Sequence, residues 1–264
     1  MAIQCSDNPR FLVPDWPSPA RVHSVITTRH FFGEVGPTVD SPHLSINSSL
    51  SSGKPDEGLR EANNILNVEL GLNLPPQWLY QEHDCRVIEA SADGRAERAD
   101  ACYTDIPGLA CAVLSADCLP ILISAKDGSR VAAVHAGWRG MALGVIPAAV
   151  VAMDIKAIKL MAYLGPAICA GHYQVGQEVR QAFLDGFDKG IDRALVSACF
   201  ERSPASSEHY HADLYQLARI QLKQLGITDV YGGNYCTYGQ QALFYSYRLD
   251  ESNGRMASLI WIER

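Results

Sequence analysis

The chain has 264 residues, 47% of them hydrophobic and 19% charged, enough apolar material to bury a sizeable core in one large domain spanning residues 1–264. Its formal net charge of −7 argues against a nucleic-acid backbone binder, and no apolar run reaches the roughly 18 residues of a membrane span. The start Met1-Ala2-Ile3-Gln4-Cys5 lacks a charged leader followed by an apolar run, and the eight cysteines are scattered, so the expectation is a cytoplasmic chain with reduced thiols.

The patterning predicts strands near Val22 to Thr28, Trp78 to Tyr80, Val87 to Glu89, Ala101 to Thr104, Leu109 to Leu114 and Leu119 to Ser124. Further strands are expected near Val131 to His135, Met161 to Leu164, Asp229 to Tyr231 and Met256 to Trp261. Helices are expected over Leu59 to Leu70, Gly140 to Met153, Gln177 to Phe187 and Ala212 to Leu225, and the Ser/Pro/Gly-rich patch from Ser41 to Pro55 reads as a long loop. Several strands follow one another without helical crossovers. This favours an α+β fold, a layered, mixed β-sheet core with helices on its outer faces.

The most informative stretch is Ala116-Asp117-Cys118-Leu119-Pro120, followed by Val134-His135-Ala136-Gly137-Trp138-Arg139-Gly140. The residues between them read as a hairpin turning at Asp127-Gly128, which brings its two outer ends, and with them Cys118 and His135, within side-chain reach. A third polar group, His83, lies upstream in Gln81-Glu82-His83-Asp84-Cys85. Cys118, His83 and His135 form a one-sulfur, two-nitrogen set of the kind zinc accepts, and three protein ligands leave a tetrahedral position open, as in catalytic sites. Each residue alone would as readily be a core or rim side chain, and the remaining thiols Cys85, Cys102, Cys111, Cys169, Cys199 and Cys236 read as small apolar fillers. His23, His30, His43 and His172 show no spacing that supports a site.

The ordered motifs QEHDCRVIE, ERADACYTDIPGLACAVLSADCLPILI, VAAVHAGWRGMALGVI, YLGPAICAGHYQVGQEV and CTYGQQALFYSYRLDESNGRMASLIWI resemble the YfiH family from about Thr27 to Ile262. That family is variously labelled laccase-domain protein, purine nucleoside phosphorylase and peptidoglycan editing factor. The resemblance implies a layered sheet core and a zinc held by the histidine of QxH, the cysteine of ADC and the histidine of HAGWRG, here His83, Cys118 and His135. It also implies phosphorolysis of purine nucleosides such as adenosine, inosine and guanosine, with adenosine deamination as an associated activity. Its TTR, SYR and GR motifs carry over Arg29, Arg248 and Arg255 as phosphate or substrate clamps, and its SLN motif carries over Asn47 as an orienter of base or ribose.

Phosphorolysis needs an oriented phosphate and a stabilised leaving base, and the arginines together with the helix start after Gly137 could supply the first. Deamination needs an acidified water and a proton shuttle, for which Asp117 is a candidate by its position beside Cys118. Three departures from the family pattern stand out: His30-Phe31-Phe32-Gly33-Glu34 in place of a glycine-rich run, Gln174 in place of a glutamate, and Leu249 in place of an arginine. The alternative from another enzyme class is a Cys-His hydrolase, Cys118 the nucleophile and His135 its base, acting on peptidoglycan precursors. Copper-dependent polyphenol oxidation ranks last, because the sole HxH pair, His209-Tyr210-His211, reads as a polar loop. A zinc-stabilised binding protein without turnover is the non-catalytic reading.

Overall fold

The structure, a computed structural model, describes residues 9–31, 57–187, 192–204, 206, 208–251 and 254–264. Asn47, His43 and the departure at Phe32 to Glu34 lie outside the described residues, as does the loop expected between Ser41 and Pro55.

Two sheets stacked face to face form the centre. The larger has six strands in the order Val230–Gly232, Leu160–Leu164, Leu119–Ala125, Val131–Ala136, Ala101–Thr104, Val87–Glu89, antiparallel at its middle and parallel at both flanks. The smaller is antiparallel, in the order Phe11–Leu12, Val22–Thr27, Met256–Ile262, Cys111–Ser115. Because strand side chains alternate, Leu119, Ile121 and Ile123 face one way and Leu122 the other. The first three join Val134, Met141, Ile146 and Leu217 in a core between the large sheet and its helices. Leu122 joins Val131, Ile26, Val113 and Ile260 between the two sheets. On the far side of the small sheet, Val25, Leu114 and Leu259 pack with Leu66 of the helix Glu57–Leu70. The layering is therefore helix, sheet, sheet, helix, as the α+β expectation holds.

Three local expectations change. The helix expected from Gly140 to Met153 is two helices, Trp138–Leu143 and Val145–Ala152, parted at Gly144 with φ of 94°. Pro147 explains the restart, since a residue without an N–H fits only the first turn of a helix. His209-Tyr210-His211 is no loop; the strand His209–Ala212 lies at the centre of a three-stranded antiparallel sheet between Gln174–Gly176 and Phe200–Arg202. Buried Tyr210 forces that outcome, because alternation buries it while turning both histidines to the other face, where His211 Nδ1 meets the Ala170 carbonyl at 2.9 Å. The helix Leu214–Leu225 starts where Asp213 accepts the Gln216 N–H at 2.9 Å and stops at Gly226, φ 95°. Among the described residues no helix is long and apolar enough to cross a membrane.

Gly144→Ala tests the helix break. There is room for its Cβ, with Pro147 Cγ at 3.5 Å, so only the left-handed backbone resists the change. The expected loss is about 1–2 kcal/mol in a denaturant titration, and an unchanged midpoint would show that the break carries no strain.

Candidate metal centre and its surroundings

The hairpin places Pro120 opposite His135 and Leu119 opposite Ala136, so Cys118 and His135 sit at the same end of adjacent strands. The next strand pairs Ala101 with Val134, which sets Asp100 beside His135. The loop after the short strand Leu79–Tyr80 then carries His83 over this end of the sheet. The donor atoms of His83, Cys118 and His135 all lie within 4.8 Å of one another, with His83 Nε2 3.8 Å from Cys118 Sγ and the two imidazole rings edge to face at 4.8 Å.

Asp100, unmarked by the sequence reading, organises the group. Its carboxylate is wholly buried, takes the N–H of Glu82, His83 and Asp84 at 3.1, 3.0 and 2.8 Å, and meets His135 Nδ1 at 2.7 Å. Three convergent amide donors allow His83 to hold a left-handed backbone, φ 59°, which a non-glycine residue adopts only at a cost. The bond to Nδ1 turns the other ring nitrogen of His135 towards Cys118, the arrangement that orients metal-binding imidazoles. The sequence did carry a signal: an aspartate between two alanines at the head of a buried strand has no solvent to satisfy it.

Burial pushes the Cys118 thiol up, but His135 and His83 outweigh it and bring it down to about 6. Burial likewise pushes His135 down, while Cys118 and Asp100 together raise it to about 9. The pair therefore sits as thiolate and imidazolium when no cation is between them. Burial opposes the Asp100 charge as well, and its bonds to His135 and the loop amides hold its carboxyl below the usual range.

Asp117 makes a matching clamp on the other flank. Its carboxylate accepts the Thr237 hydroxyl at 2.5 Å, the Ser246 hydroxyl at 3.0 Å and the Arg248 N–H at 2.7 Å, with its own φ at 82°. Three donors on one buried carboxylate suit a fixed anchor for the Cys118 turn. Arg248 stretches from this anchor, its guanidinium 5.4 Å from the Tyr173 ring centre and donating to the Gln174 carbonyl at 2.9 Å. Arg255 lies over Tyr247 at 5.3 Å; burial lowers its pKa, and Cys118, Tyr247 and Asp117 act to raise it. Arg29 donates to the Gln241 carbonyl at 2.5 Å and lies 5.4 Å from the centre of the Tyr245 ring, so it ties two loops together. Tyr173, also missed in the sequence, sits close enough for Cys118, Arg248, Asp117 and Arg139 to act on its phenol; burial first, then Cys118, keeps that phenol protonated.

Gly137 and Gly140 have a steric use rather than an electrostatic one. The helix they open runs only from Trp138 to Leu143, too short to gather a useful dipole at its start. A Cβ on Gly137 would stand 2.9 Å from His83 Cδ2 and 3.0 Å from Cys118 Sγ, and one on Gly140 would stand 2.8 Å from the Asp84 carbonyl. Their bare backbones let the helix start press against the His83 loop.

Two substitutions probe this geometry. Asp100→Asn should lower stability by about 3–5 kcal/mol in a denaturant titration, because an amide cannot accept on both sides and leaves either the loop N–H groups or the buried Nδ1 proton of His135 without an acceptor. Gly137→Ala should keep the fold, by circular dichroism, yet weaken metal retention against a chelator by at least about 10-fold; unchanged retention would mean that the close approach is incidental.

Residues 24–263 match the family described as multi-copper polyphenol oxidoreductase laccase. The chain is 41% identical over 253 residues to a purine nucleoside phosphorylase of Pseudomonas aeruginosa, covering 96% of this chain and 98% of that one. It is 39% identical to the purine nucleoside phosphorylase YfiH of Shigella flexneri, covering 96% and 99% of the two chains. Among solved structures, a Neisseria meningitidis protein superposes with a TM-score of 0.82 at 41% identity, covering 97% of this chain and all of that one. YlmD from Geobacillus stearothermophilus superposes with a TM-score of 0.80 at 25% identity, covering 99% of each chain. The match along nearly the full length, in sequence and in fold, places this chain in the YfiH family of laccase-domain proteins.

Proposed function

We propose that the chain is a zinc-dependent purine nucleoside phosphorylase that cleaves adenosine, inosine or guanosine with inorganic phosphate. The observation that carries this reading is the His83, Cys118 and His135 donor set, with Arg248, Arg255 and Tyr173 close by. The relatives named purine nucleoside phosphorylase support it. One thiolate and two imidazoles suit zinc, and the Asp100 bond to His135 is the support that such ligands require. His83, Cys118 and His135 would hold the zinc, which would supply Lewis acidity to a bound nucleoside.

The chain's own residues do the remainder. Arg248 and Arg255 offer rigid forks for phosphate oxygens, holding the nucleophile in line with the anomeric carbon. As the phosphate oxygen bonds to that carbon, the carbon–nitrogen bond breaks and its electron pair leaves with the purine. Tyr173, kept protonated by its surroundings, donates a hydrogen bond to the departing base. Asp117, whose carboxylate also holds the Cys118 turn, is the candidate proton shuttle for adenosine deamination, because the Tyr173 phenol holds its proton too firmly to pass it on. Asn47 belongs with base or ribose recognition, and Arg29 is a further candidate clamp for phosphate or substrate. Free thiols throughout the described residues fit a cytoplasmic setting, and the acidic net charge fits a nucleoside better than a nucleic acid.

A second reading rests on one observation, the alignment of Asp100, His135 and Cys118 as an acid, base and activated thiol, which is a hydrolase arrangement suited to an amide in a peptidoglycan precursor. His83 separates the two, since the hydrolase has no use for it. Purine release from inosine and adenosine, measured with and without phosphate on zinc-replete protein, should require phosphate and fall at least about 100-fold in both Cys118→Ala and His83→Ala. Nucleosides left intact by the metal-replete protein would overturn the phosphorylase reading. Amide cleavage that survives His83→Ala and chelation would establish the hydrolase.

A further inference from the structure

Outside this centre, the described residues hold one other cluster of soft donors. Cys169 precedes the short turn Ala170–His172, which His172 closes, and Cys236 lies far along the chain. Their donor atoms fall within 4.8 Å of one another. His172 Nδ1 is 3.3 Å from Cys169 Sγ and 3.4 Å from Cys236 Sγ, so one ring nitrogen faces both sulfurs almost equally. Around a tetrahedral zinc, sulfur and nitrogen ligands stand about 3.6 Å apart.

The backbone sets this arrangement. A parallel bridge joins Ala167 to Cys236, and the Thr237 N–H donates to the Ala167 carbonyl at 3.0 Å, so the two loops carrying the thiols are stitched together next to them. The N–H groups of Cys169 and Gly239 both donate to Cys236 Sγ at 3.4 Å. Two amides aimed at one sulfur fix its position beside the His172 ring. The His172 ring is steadied by stacking on Tyr238, centres 4.6 Å apart and planes 22° from parallel. A simple disulfide would need neither the histidine between the sulfurs nor the paired amides.

We propose that Cys169, His172 and Cys236 form a second metal site, for a thiophilic ion such as zinc(II), distinct from the His83 centre and independent of the nucleoside chemistry. Its position gives it a structural task. Ile168, next to Cys169, donates its N–H to the Asp117 carbonyl at 3.0 Å, and Thr237, next to Cys236, donates its hydroxyl to the Asp117 carboxylate at 2.5 Å. A metal across the two thiols would lock together the loops that grip the Cys118 turn. His172 is exposed, so the ion can enter from solvent and keep a water as its fourth ligand.

The test titrates the full-length Cys118→Ala protein, reduced and stripped of metal, with zinc and separately with cobalt(II). Zinc should bind with a stoichiometry of about one, and cobalt should give an intense sulfur-to-metal charge-transfer band. Adding His172→Asn should weaken binding at least about 10-fold, and adding Cys236→Ser should abolish the band, with circular dichroism confirming that each variant is folded. The exposed position of His172 makes its substitution the arm least able to disturb folding. A folded Cys118→Ala protein that binds no zinc and gives no cobalt–sulfur band would overturn the proposal. So would a Cys169–Cys236 disulfide present in protein purified without air, shown by intact mass.

Discussion

The site depends first on the Asp100 carboxylate. It lies in a fully dry position and takes three amide donors from consecutive residues of the His83 loop together with the imidazole of His135. Removing those acceptors would leave three N–H groups and the Nδ1 proton of His135 without partners in the interior, where each unmet bond costs about 1–3 kcal/mol. The same four bonds impose an uncommon backbone angle on His83 and select the tautomer of His135. One buried charge thus converts two remote histidines into a pair with defined directions.

Asp117 repeats the device on the opposite flank. Both aspartates are buried, one tied to His83 with its positive φ and the other itself at positive φ, and both meet that cost with three or more donors. Between the two clamps the electrostatics need no bulk solvent. The thiolate of Cys118 and the imidazolium of His135 stabilise each other, and Tyr173 stays neutral beside them. Bare glycine backbone at Gly137 then admits the sulfur and the His83 ring to the same small volume.

Much of this was legible from the residues. Alternating apolar runs around Asp127-Gly128 made the hairpin evident, and a hairpin necessarily brings Cys118 and His135 together. Nearly all the strands appeared close to their expected bounds, because both faces of each central strand are buried and the chain there is correspondingly apolar. What stayed hidden depended on tertiary partners. Asp100 looks like any acid until its strand is paired, and Tyr173 shows its role only once the loops of Arg248 and Cys118 converge. Cys169 and Cys236 lie too far apart for spacing to relate them, and a single bridge between their loops makes them neighbours. At Gly144 the apolar run continued while the backbone did not, since hydrophobic pattern alone is blind to a left-handed residue.

The three donors to Asp117 come from Thr237, Ser246 and Arg248, separated from it by 120, 129 and 131 positions. During synthesis, which proceeds from the N-terminus, the hairpin bearing Cys118 and His135 leaves the ribosome long before these residues exist. The nascent chain can therefore pair its central strands while the Cys118 turn is still unclamped. Only the last part of the polypeptide fixes the sulfur in place, so the finished centre is a product of the completed chain, and a message cut short before Thr237 lacks these donors together with the strand Met256–Ile262 that the smaller sheet is built around.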